Sequence, residues 1–215
     1  MLPSHAILTG DLIRSTRAPA SALQAAMDVL SQTTESLRWT GDSPHHFTRF
    51  RGDGWQIALA RPELCFRAAV CLCAALRASN AGLATRIAIG IGPIETLGSA
   101  DLSDGRGAAF VTSGRLLDGM GRKERIRIDG EGVTEIDHAI INLVAWHSAR
   151  WSKPQAEAVT AFAPGTLLSP PPVYERLGIT RQALEARLSG AGWKPLQELI
   201  CARESMTRAD HGGKP

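Results

Sequence analysis

The sequence predicts an α+β fold in which a sheet domain over residues 1–132 is followed by an all-α segment over residues 133–207. Two observations predict this division. In the first segment, short β-branched runs alternate with amphipathic stretches of helical spacing. In the second segment strand signals are almost absent, and helical stretches flank a proline-rich linker, PGTLLSPPP. The polar end of the chain, residues 208–215, is predicted to be a disordered tail.

The first elements are a strand, a helix and a hairpin. Residues 5–11, HAILTGD, are an apolar run ending in an acid, which predicts a buried strand with Asp11 at its C-terminal end. Residues 19–39 then place Met27 and Leu30 at helical spacing. The runs HHFTRF and WQIALA flank RGDG, which predicts a β-hairpin with Asp53 at its tip.

The next elements are a helix over residues 62–82, a strand over 84–92, a helix over 108–120 and a strand over 125–129. The element order is therefore β-α-β-β-α-β, followed by a further α-β unit. This order is the ferredoxin-like split βαβ arrangement, and it predicts an antiparallel sheet with helices on one face.

The composition excludes several classes of protein. With 44% hydrophobic and 21% charged residues, the 215-residue chain has the composition of an ordinary globular protein. No apolar run approaches the ~20 residues that span a bilayer, and the N-terminus lacks the pattern of a signal peptide. We therefore expect a cytoplasmic protein with no membrane partner. The four cysteines lack metal-site spacing and are predicted to be buried thiols.

Asp11 and Asp53 are the first candidate site residues. In a split βαβ sheet the first strand lies beside the hairpin, so the two carboxylates are expected to converge. Two carboxylates with open positions suit Mg²⁺ or Mn²⁺ held together with a substrate's phosphates. Gly52 and Gly54 leave room for a triphosphate to approach the backbone. The alternative is that Asp53 is only a turn residue, because Asp-Gly is common in hairpin turns.

Four segments, in this order, carry a resemblance to a known family: GDLIRST, RFRGDGWQIAL, TRIAIGIGPIE and DGRGAAFVTSGRLLDG. Together they resemble the catalytic domain of class III nucleotide cyclases. The resemblance implies a ferredoxin-like, cyclase-type βααββαβ sheet domain that binds a nucleotide with Mg²⁺ or Mn²⁺. It also implies a homodimer, because active cyclases build their sites across two chains.

The resemblance also implies a role for individual residues. Asp11 and Asp53 match the metal-binding aspartates, and Arg115 matches the catalytic arginine that neutralises charge in the transition state. One position departs from the family, since Val111 stands where an asparagine orients the reacting group. The alternatives are that Arg115 is a surface residue and that Asp104 is a loop acid. The predicted nucleotide-binding positions are Ile13, Arg14, Ser15 and Thr16 in a phosphate-facing turn, Gly52 in the hairpin, and Arg49 and Asp104 at the base.

The segment VYERLGITRQALEARLSGAGW predicts a helix-turn-helix. Apolar residues from Leu177 to Leu188 would join its two helices, and Thr180 would cap the second. The predicted DNA-binding residues are Thr180, the exposed Arg181, Gln182, Glu185 and Arg187, and the phosphate-contacting Lys194. The alternative is a helical hairpin for dimer contacts, since residues 151–215 carry only eight Lys and Arg against six Asp and Glu.

The combination of a cyclase-like domain with a C-terminal helix-turn-helix resembles the SatD-like proteins of bacteria. This resemblance implies a role in transcriptional or stress control. Three hypotheses follow. The first is a bacterial DNA-binding transcriptional regulator whose cyclase-like domain senses a nucleotide. The second is an active nucleotidyl cyclase that makes a cyclic purine nucleotide. The third is a structural dimerisation domain.

Overall fold

The computed structural model describes residues 4–37, 47–50, 52–99, 101–163 and 173–212. Its strands are β1 (Ser4–Leu12), β2 (Phe47–Phe50), β3 (Gly54–Leu59), β4 (Thr85–Thr96), β5 (Arg106–Gly107) and β6 (Ile126–Gly130). Its helices are α1 (Ala20–Ser36), α2 (Cys65–Ala78), α3 (Ala108–Asp118), α4 (Glu135–Ser148), α5 (Lys153–Phe162), α6 (Val173–Arg176), α7 (Arg181–Gly190) and α8 (Trp193–Gly212).

The strands form one sheet in the order β2-β3-β1-β4-β5, and β6 also pairs with β4. The first five strands pair antiparallel, whereas β4 and β6 are parallel. The predicted α+β class is confirmed, and the elements predicted for residues 1–132 occur in the predicted order, with the short strand β5 added before α3. The sheet is mixed rather than purely antiparallel, because α3 crosses over between β4 and β6 and returns the chain in the same direction.

Helices cover both faces of the sheet, so the expectation that they lie on one face is wrong. Successive side chains of a strand point to opposite faces. Leu8 of β1 accordingly packs with α1 and α2 in the main core, whereas the preceding Ile7 packs with Ala109 and Phe110 of α3. The helix α3 therefore forms a separate layer on the second face.

Gly90 of β4 lets α3 approach this second face closely. A Cβ at Gly90 would lie 2.3 Å from the carbonyl oxygen of Ala109 and 2.6 Å from the backbone nitrogen of Ser113. Beside this contact, the hydroxyls of Thr9 and Ser113 are 2.9 Å apart. The position of α3 also fixes Met120, which follows this helix and whose carbonyl oxygen accepts a hydrogen bond from the side chain of Arg86 in β4.

The C-terminal helices share a core with the sheet domain. Val144 of α4, Val159 of α5 and Ile200 of α8 belong to the same buried cluster as the first face of the sheet. Arg67 of α2 also donates to both carboxylate oxygens of Glu204 in α8, at 2.6 and 2.8 Å. The helices are therefore joined to the sheet by apolar packing and by a buried ion pair.

The last helix is longer than the sequence predicts. Residues 208–212, assigned to the disordered tail, continue α8 as far as Gly212, because none of them is a proline that would end the helix. Residues 213–215 and the predicted strand residues His45 and His46 lie outside the described residues. Within the described residues, no helix is long and apolar enough to span a membrane.

Candidate functional site

Asp11 and Asp53 lie side by side at one corner of the sheet. Asp11 of β1 pairs with Gly54 of β3, so Asp53 is at the adjacent position in the hairpin turn. The backbone nitrogen of Leu12 donates to the carbonyl oxygen of Asp53 at 3.1 Å, and this bond holds the turn against the strand. The Ser15 hydroxyl donates to Asp53 Oδ2. The structure thus brings together two carboxylates that are 42 positions apart in the sequence.

Arg86 completes this corner and was not predicted from the sequence. Its Nε donates to Asp11 Oδ1 at 2.9 Å, its Nη2 donates to Asp11 Oδ2, and its Nη1 donates to the carbonyl oxygen of Met120 at 3.1 Å. The hydrogen bonds to Asp11 raise the pKa of Arg86 above its ordinary value, and the charge of Asp53 acts in the same direction. Both carboxylates therefore interact with one guanidinium.

A local signal for Arg86 was present in the sequence. Arg86 is the single charged residue in the apolar strand TRIAIGIG, and polar residues within such runs are candidates for a site. Its partner could not be identified, because the pairing of Asp11 with Arg86 depends on the register between β1 and β4.

The turn after β1 presents backbone donors beside Asp53. The nitrogen of Ile13 is bonded to the carbonyl oxygen of Ala84 at 2.8 Å. Arg14 has a φ of 63°, in the left-handed region that residues other than glycine seldom adopt. Among the described residues, the backbone nitrogens of Arg14, Ser15 and Thr16 have no hydrogen-bond acceptor. The turn predicted to face phosphate therefore lies next to the two carboxylates and has donors to offer an anion.

The donor set at this corner fits a hard divalent cation in its chemistry. Carboxylate and hydroxyl oxygens are ligands of Mg²⁺ and Mn²⁺, and Mg²⁺ is often held by one or two carboxylates plus phosphates and water. No cluster of three or more His, Cys, Asp or Glu suited to a metal occurs within the described residues. A cation would also have to share Asp11 with Arg86, which engages both of its oxygens.

Two other predicted nucleotide contacts, Arg49 and Gly52, belong to the hairpin at this corner. Arg49 pairs with Trp55 on the first face of the sheet, donates to the Gly52 carbonyl oxygen at 2.8 Å and reaches Gln24 of α1 at 2.8 Å. Gly52 is exposed and has a φ of 80°, as the hairpin turn requires. Arg49 therefore reaches the turn from the face opposite to Asp11.

Asp104 is engaged within its own loop. Its carboxylate accepts from the backbone nitrogen of Ser99 at 3.1 and 3.2 Å and from the Ser99 hydroxyl at 2.7 Å. These hydrogen bonds hold the pKa of Asp104 below its usual range. These contacts give Asp104 a structural role, since its carboxylate holds the loop closed through Ser99. The structure does not place Asp104 beside Asp11.

Arg115 lies on the outer surface of α3. Ser113 faces the sheet, and two further residues along a helix turn the side chain by about 200°, so the exposed Arg115 points away from the sheet. Val111 is 49% exposed and precedes Arg115 by one helical turn on this outer surface. Among the described residues, no hydrogen bond or ion pair engages the Arg115 side chain. Arg115 is thus separate from Asp11 and Asp53 within one chain.

Two local features predicted for the segment around α7, the cap at Thr180 and the turn at Gly178, are present. The Thr180 hydroxyl caps α7 by accepting from the nitrogen of Ala183 at 3.1 Å, and Gly178 supplies a φ of 63° in the turn. Ala158 of α5, Val173 of α6 and Leu184 of α7 form one small core. Leu177, Ile179 and Leu188 pack against this core, as the sequence predicts. The three helices therefore form a single packed unit.

Arg187, one of the predicted DNA-contacting residues, is less exposed than the sequence predicts. Arg187 is partly buried, because α7 packs against α5 and brings Arg187 Nη1 within 3.1 Å of Glu157 Oε2. The expectation that Arg187 is exposed is therefore wrong. Arg181, Gln182, Glu185 and Lys194 are exposed, and Arg181 forms a surface pair with Glu185 at 2.9 Å. Such an exposed pair contributes little to stability, so Arg181 can exchange Glu185 for another acidic partner.

No protein-family model and no curated protein matches this sequence.

Proposed function

We propose that this protein is a bacterial DNA-binding transcriptional regulator whose cyclase-like sheet domain binds a nucleotide through its phosphates and a divalent metal ion. The observation that carries the proposal is the corner where Asp11, Asp53, Ser15 and Arg86 meet. Carboxylates suit a cation, and a guanidinium and backbone donors suit phosphate oxygens. The DNA-binding part of the proposal rests on the exposed face of helix α7.

In the proposed complex, Asp11 and Asp53 hold Mg²⁺ or Mn²⁺, which neutralises phosphate charge when it is bound. Ser15 orients Asp53, and the free backbone nitrogens of the turn donate to phosphate oxygens. Arg86 balances the Asp11 charge before the ligand binds. Arg49 and Asp104 are the proposed base contacts. A base must replace the bonds that these two side chains make to Gly52 and Ser99.

A homodimer is part of the proposal, and α4 offers a surface for the second copy. Ile136, Leu143 and Trp146 recur along one side of α4 and are 69, 56 and 55% exposed. A stripe of this spacing on a surface helix is suited to pairing with another helix. Glu135 begins the helix and Arg150 follows its end, so an antiparallel copy would place opposite charges together at both ends. This self-complementarity favours a second copy of the chain as the partner.

The DNA-binding part of the proposal uses the exposed face of α7. Arg181 and Gln182 lie at the N-terminal end of this helix, which is the end that reaches base edges in helix-turn-helix complexes. Lys194, an exposed residue in the first turn of α8, is the proposed phosphate contact. Two copies of α7 in a dimer would read half-sites about one helical turn of DNA apart.

The alternative function is an active nucleotidyl cyclase. Asp11 and Asp53 favour it, because both predicted metal ligands are present and adjacent. Val111 opposes it, because its apolar side chain cannot form the hydrogen bond that the family's asparagine makes at this position. Arg115 would also have to act on a nucleotide held by another chain, since it faces away from the sheet.

One experiment separates the two functions. The full chain is incubated with Mn²⁺ and each nucleoside triphosphate in turn, and both pyrophosphate release and retained nucleotide are measured. The proposal predicts retained nucleotide without product, with binding lost in Asp53→Ala and kept in Asp118→Ala, an exposed acid of α3. Pyrophosphate release that requires Asp53 would establish the cyclase instead. If neither nucleotide nor Mn²⁺ binds, both functions are wrong.

DNA binding is tested on the protein's own promoter region. We expect a shift in DNA affinity when the retained nucleotide is added, since the regulator requires the two sites to be coupled. Arg181→Ala should weaken binding by about 1–3 kcal/mol if this residue contacts a base. Arg122→Ala, which removes an exposed arginine from the turn between α3 and β6, is the matched control. Equal weakening in both variants would show that only general positive charge matters.

A further inference from the structure

A cavity of about 460 Å³ lies between the C-terminal end of α2, the segment entering β4 and the end of α4. Its volume falls within the range of about 300–1,000 Å³ that small-molecule sites occupy. None of its lining residues belongs to the set Asp11, Asp53, Ser15 and Arg86, so it is a separate space.

The cavity is cationic. Arg77, Arg125 and Lys153 line it, and none of the lining residues is acidic. Each of the three makes a hydrogen bond to a neutral oxygen, namely the carbonyl oxygens of Trp151 and Arg122 and the amide oxygen of Asn80. These bonds use some of their donors and leave the positive charges without an acidic partner among the described residues. Such a set of donors suits a carboxylate or a phosphate.

The remaining wall is mostly apolar and neutral. Leu76, Leu83 and Ala145 supply hydrocarbon surface, and Ser79 and Ser148 supply hydroxyls. Burial raises the pKa of the Cys73 thiol to about 12, although its hydrogen bond with Ser148 acts in the opposite direction. Cys73 is therefore a neutral thiol at physiological pH and does not offset the three cations.

We infer that this cavity binds a small organic anion in which a carboxylate or phosphate group is joined to a compact apolar group. The cations at its edge attract the charged group, and the wall formed by Leu76, Leu83 and Ala145 accommodates the apolar group. This inference does not depend on the proposed nucleotide site.

The walls of the cavity are connected to both proposed sites. On one side, the Ala84 carbonyl oxygen accepts from Ile13, and the Thr85 hydroxyl donates to the Asp11 carbonyl oxygen at 2.7 Å. On the other side, Ala149 and Lys153 flank Trp151, whose indole donates to the Ala191 carbonyl oxygen at the end of α7 at 3.0 Å. An anion bound in the cavity would therefore contact segments that are hydrogen-bonded to the corner containing Asp11 and to the end of α7, the helix proposed to bind DNA.

The test is a calorimetric titration of the full chain with two probes, phenyl phosphate and benzoate. Benzyl alcohol is the neutral control, and inorganic phosphate is the control without an apolar group. We expect saturable binding of at least one probe, with no binding of benzyl alcohol and at least tenfold weaker binding of inorganic phosphate. Binding of only one probe identifies the charged group as phosphate or as carboxylate.

Variants locate the binding. Lys153→Gln and Arg125→Gln should each raise the Kd about fivefold or more, because each removes a charge-assisted donor. Lys123→Gln removes the same charge from an exposed turn outside the cavity and should leave the Kd unchanged. Ala149→Trp fills the cavity from an exposed position on its edge and should abolish binding, with folding checked by circular dichroism.

The inference is overturned if neither probe binds saturably at millimolar concentration. It is also overturned if wild type, Lys153→Gln and Arg125→Gln bind the probe equally, since the cavity would then not be the site. Inorganic phosphate binding as tightly as phenyl phosphate would contradict the role of the apolar wall.

Discussion

At the scale of single residues, Asp137 shows how a carboxylate predicted only as part of a helical segment acquires a structural role. It is 2% exposed and stands at the third position of α4, where it completes a capping box with Thr134. Arg203 of α8 donates to both of its oxygens, with Nη2 to Oδ2 at 3.2 Å. Burial acts to raise the pKa of Asp137, but the hydrogen bonds from Arg203 and Thr134 outweigh it and hold the pKa below its usual range.

The first prediction concerns the pH dependence of stability. A carboxyl whose pKa is lowered by folding stabilises the protein above its unfolded pKa, about 3.9 for Asp, and this stabilisation is lost as the pH falls through the folded pKa. Asp137→Asn should lower the free energy of unfolding at pH 7 by about 2–4 kcal/mol. The difference from wild type should shrink below about pH 4. Urea unfolding measured from pH 7 to pH 3 tests this.

The matched control for this prediction is Asp118→Asn, which alters an exposed acid at the end of α3. Its free energy of unfolding should stay within about 0.5 kcal/mol of wild type across the pH range. A loss for Asp137→Asn that does not change with pH would mean that the charge of Asp137 contributes nothing.

At the scale of elements, the contact between α3 and β4 decides which side chains meet. Gly90 permits the helix backbone to lie against the strand, whereas a Cβ at Gly114 of α3 would have no atom within 4 Å apart from its chain neighbours and the backbone of its own helix. The two glycines therefore serve different purposes.

The second prediction compares these two glycines. Gly90→Ala should destabilise the protein by about 2 kcal/mol or more, because its Cβ would meet helix backbone that cannot rotate away. Gly114→Ala should stabilise it by about 0.5–1 kcal/mol, since alanine is the better helix former. Thermal unfolding of both variants tests the pair. Equal effects would show that α3 does not lie as close to β4 as described.

The third prediction concerns the apolar stripe of α4. Light scattering should show a dimer for the wild-type chain at micromolar concentration and a monomer for Leu143→Glu combined with Trp146→Glu, because these charges would be buried in the pair. Met206→Glu, a comparable change at a 66% exposed apolar residue of α8, is the control and should remain dimeric. A wild-type monomer at all concentrations would contradict α4 as the surface for a second copy.

At the scale of the whole molecule, the sheet and the C-terminal helices depend on each other. The helices α2 and α5 pack together, and the buried pair of Arg67 and Glu204 links α2 to α8. Removing one partner of such a pair leaves an uncompensated charge away from water. A ligand-dependent regulator needs such a connection, because binding at the sheet must alter the helices.

The fourth prediction follows from this shared core. Hydrogen exchange in increasing urea should give the same unfolding midpoint for β1 and β4 as for α4 and α5. Glu204→Gln should lower the free energy of unfolding by about 3–5 kcal/mol. Both urea midpoints should therefore fall together. Glu198→Gln, at an exposed acid of the same helix, should leave both unchanged. Two separate midpoints would show that the segments fold independently.

Features that depend on neighbouring residues were predictable from the amino-acid pattern alone. Alternating and helical periodicity predicted the strands and helices of residues 1–132 in their observed order, except for the two-residue β5, and the turn residues located the hairpin at Asp53 and the cap at Thr180. These predictions succeed because periodicity and turn chemistry act over a few residues. The adjacency of Asp11 and Asp53 followed from the expected strand order.

Contacts between distant segments were not predictable in this way and arise from the folded arrangement of the chain. It placed Arg86 on Asp11 through the register of two strands, set α3 on the second face of the sheet and buried Arg187 against Glu157. It also separated Arg115 from the carboxylates and gathered three cations around a cavity. These outcomes depend on strand register and on the packing of helices far apart in the chain, and no local pattern of residues specifies either of them.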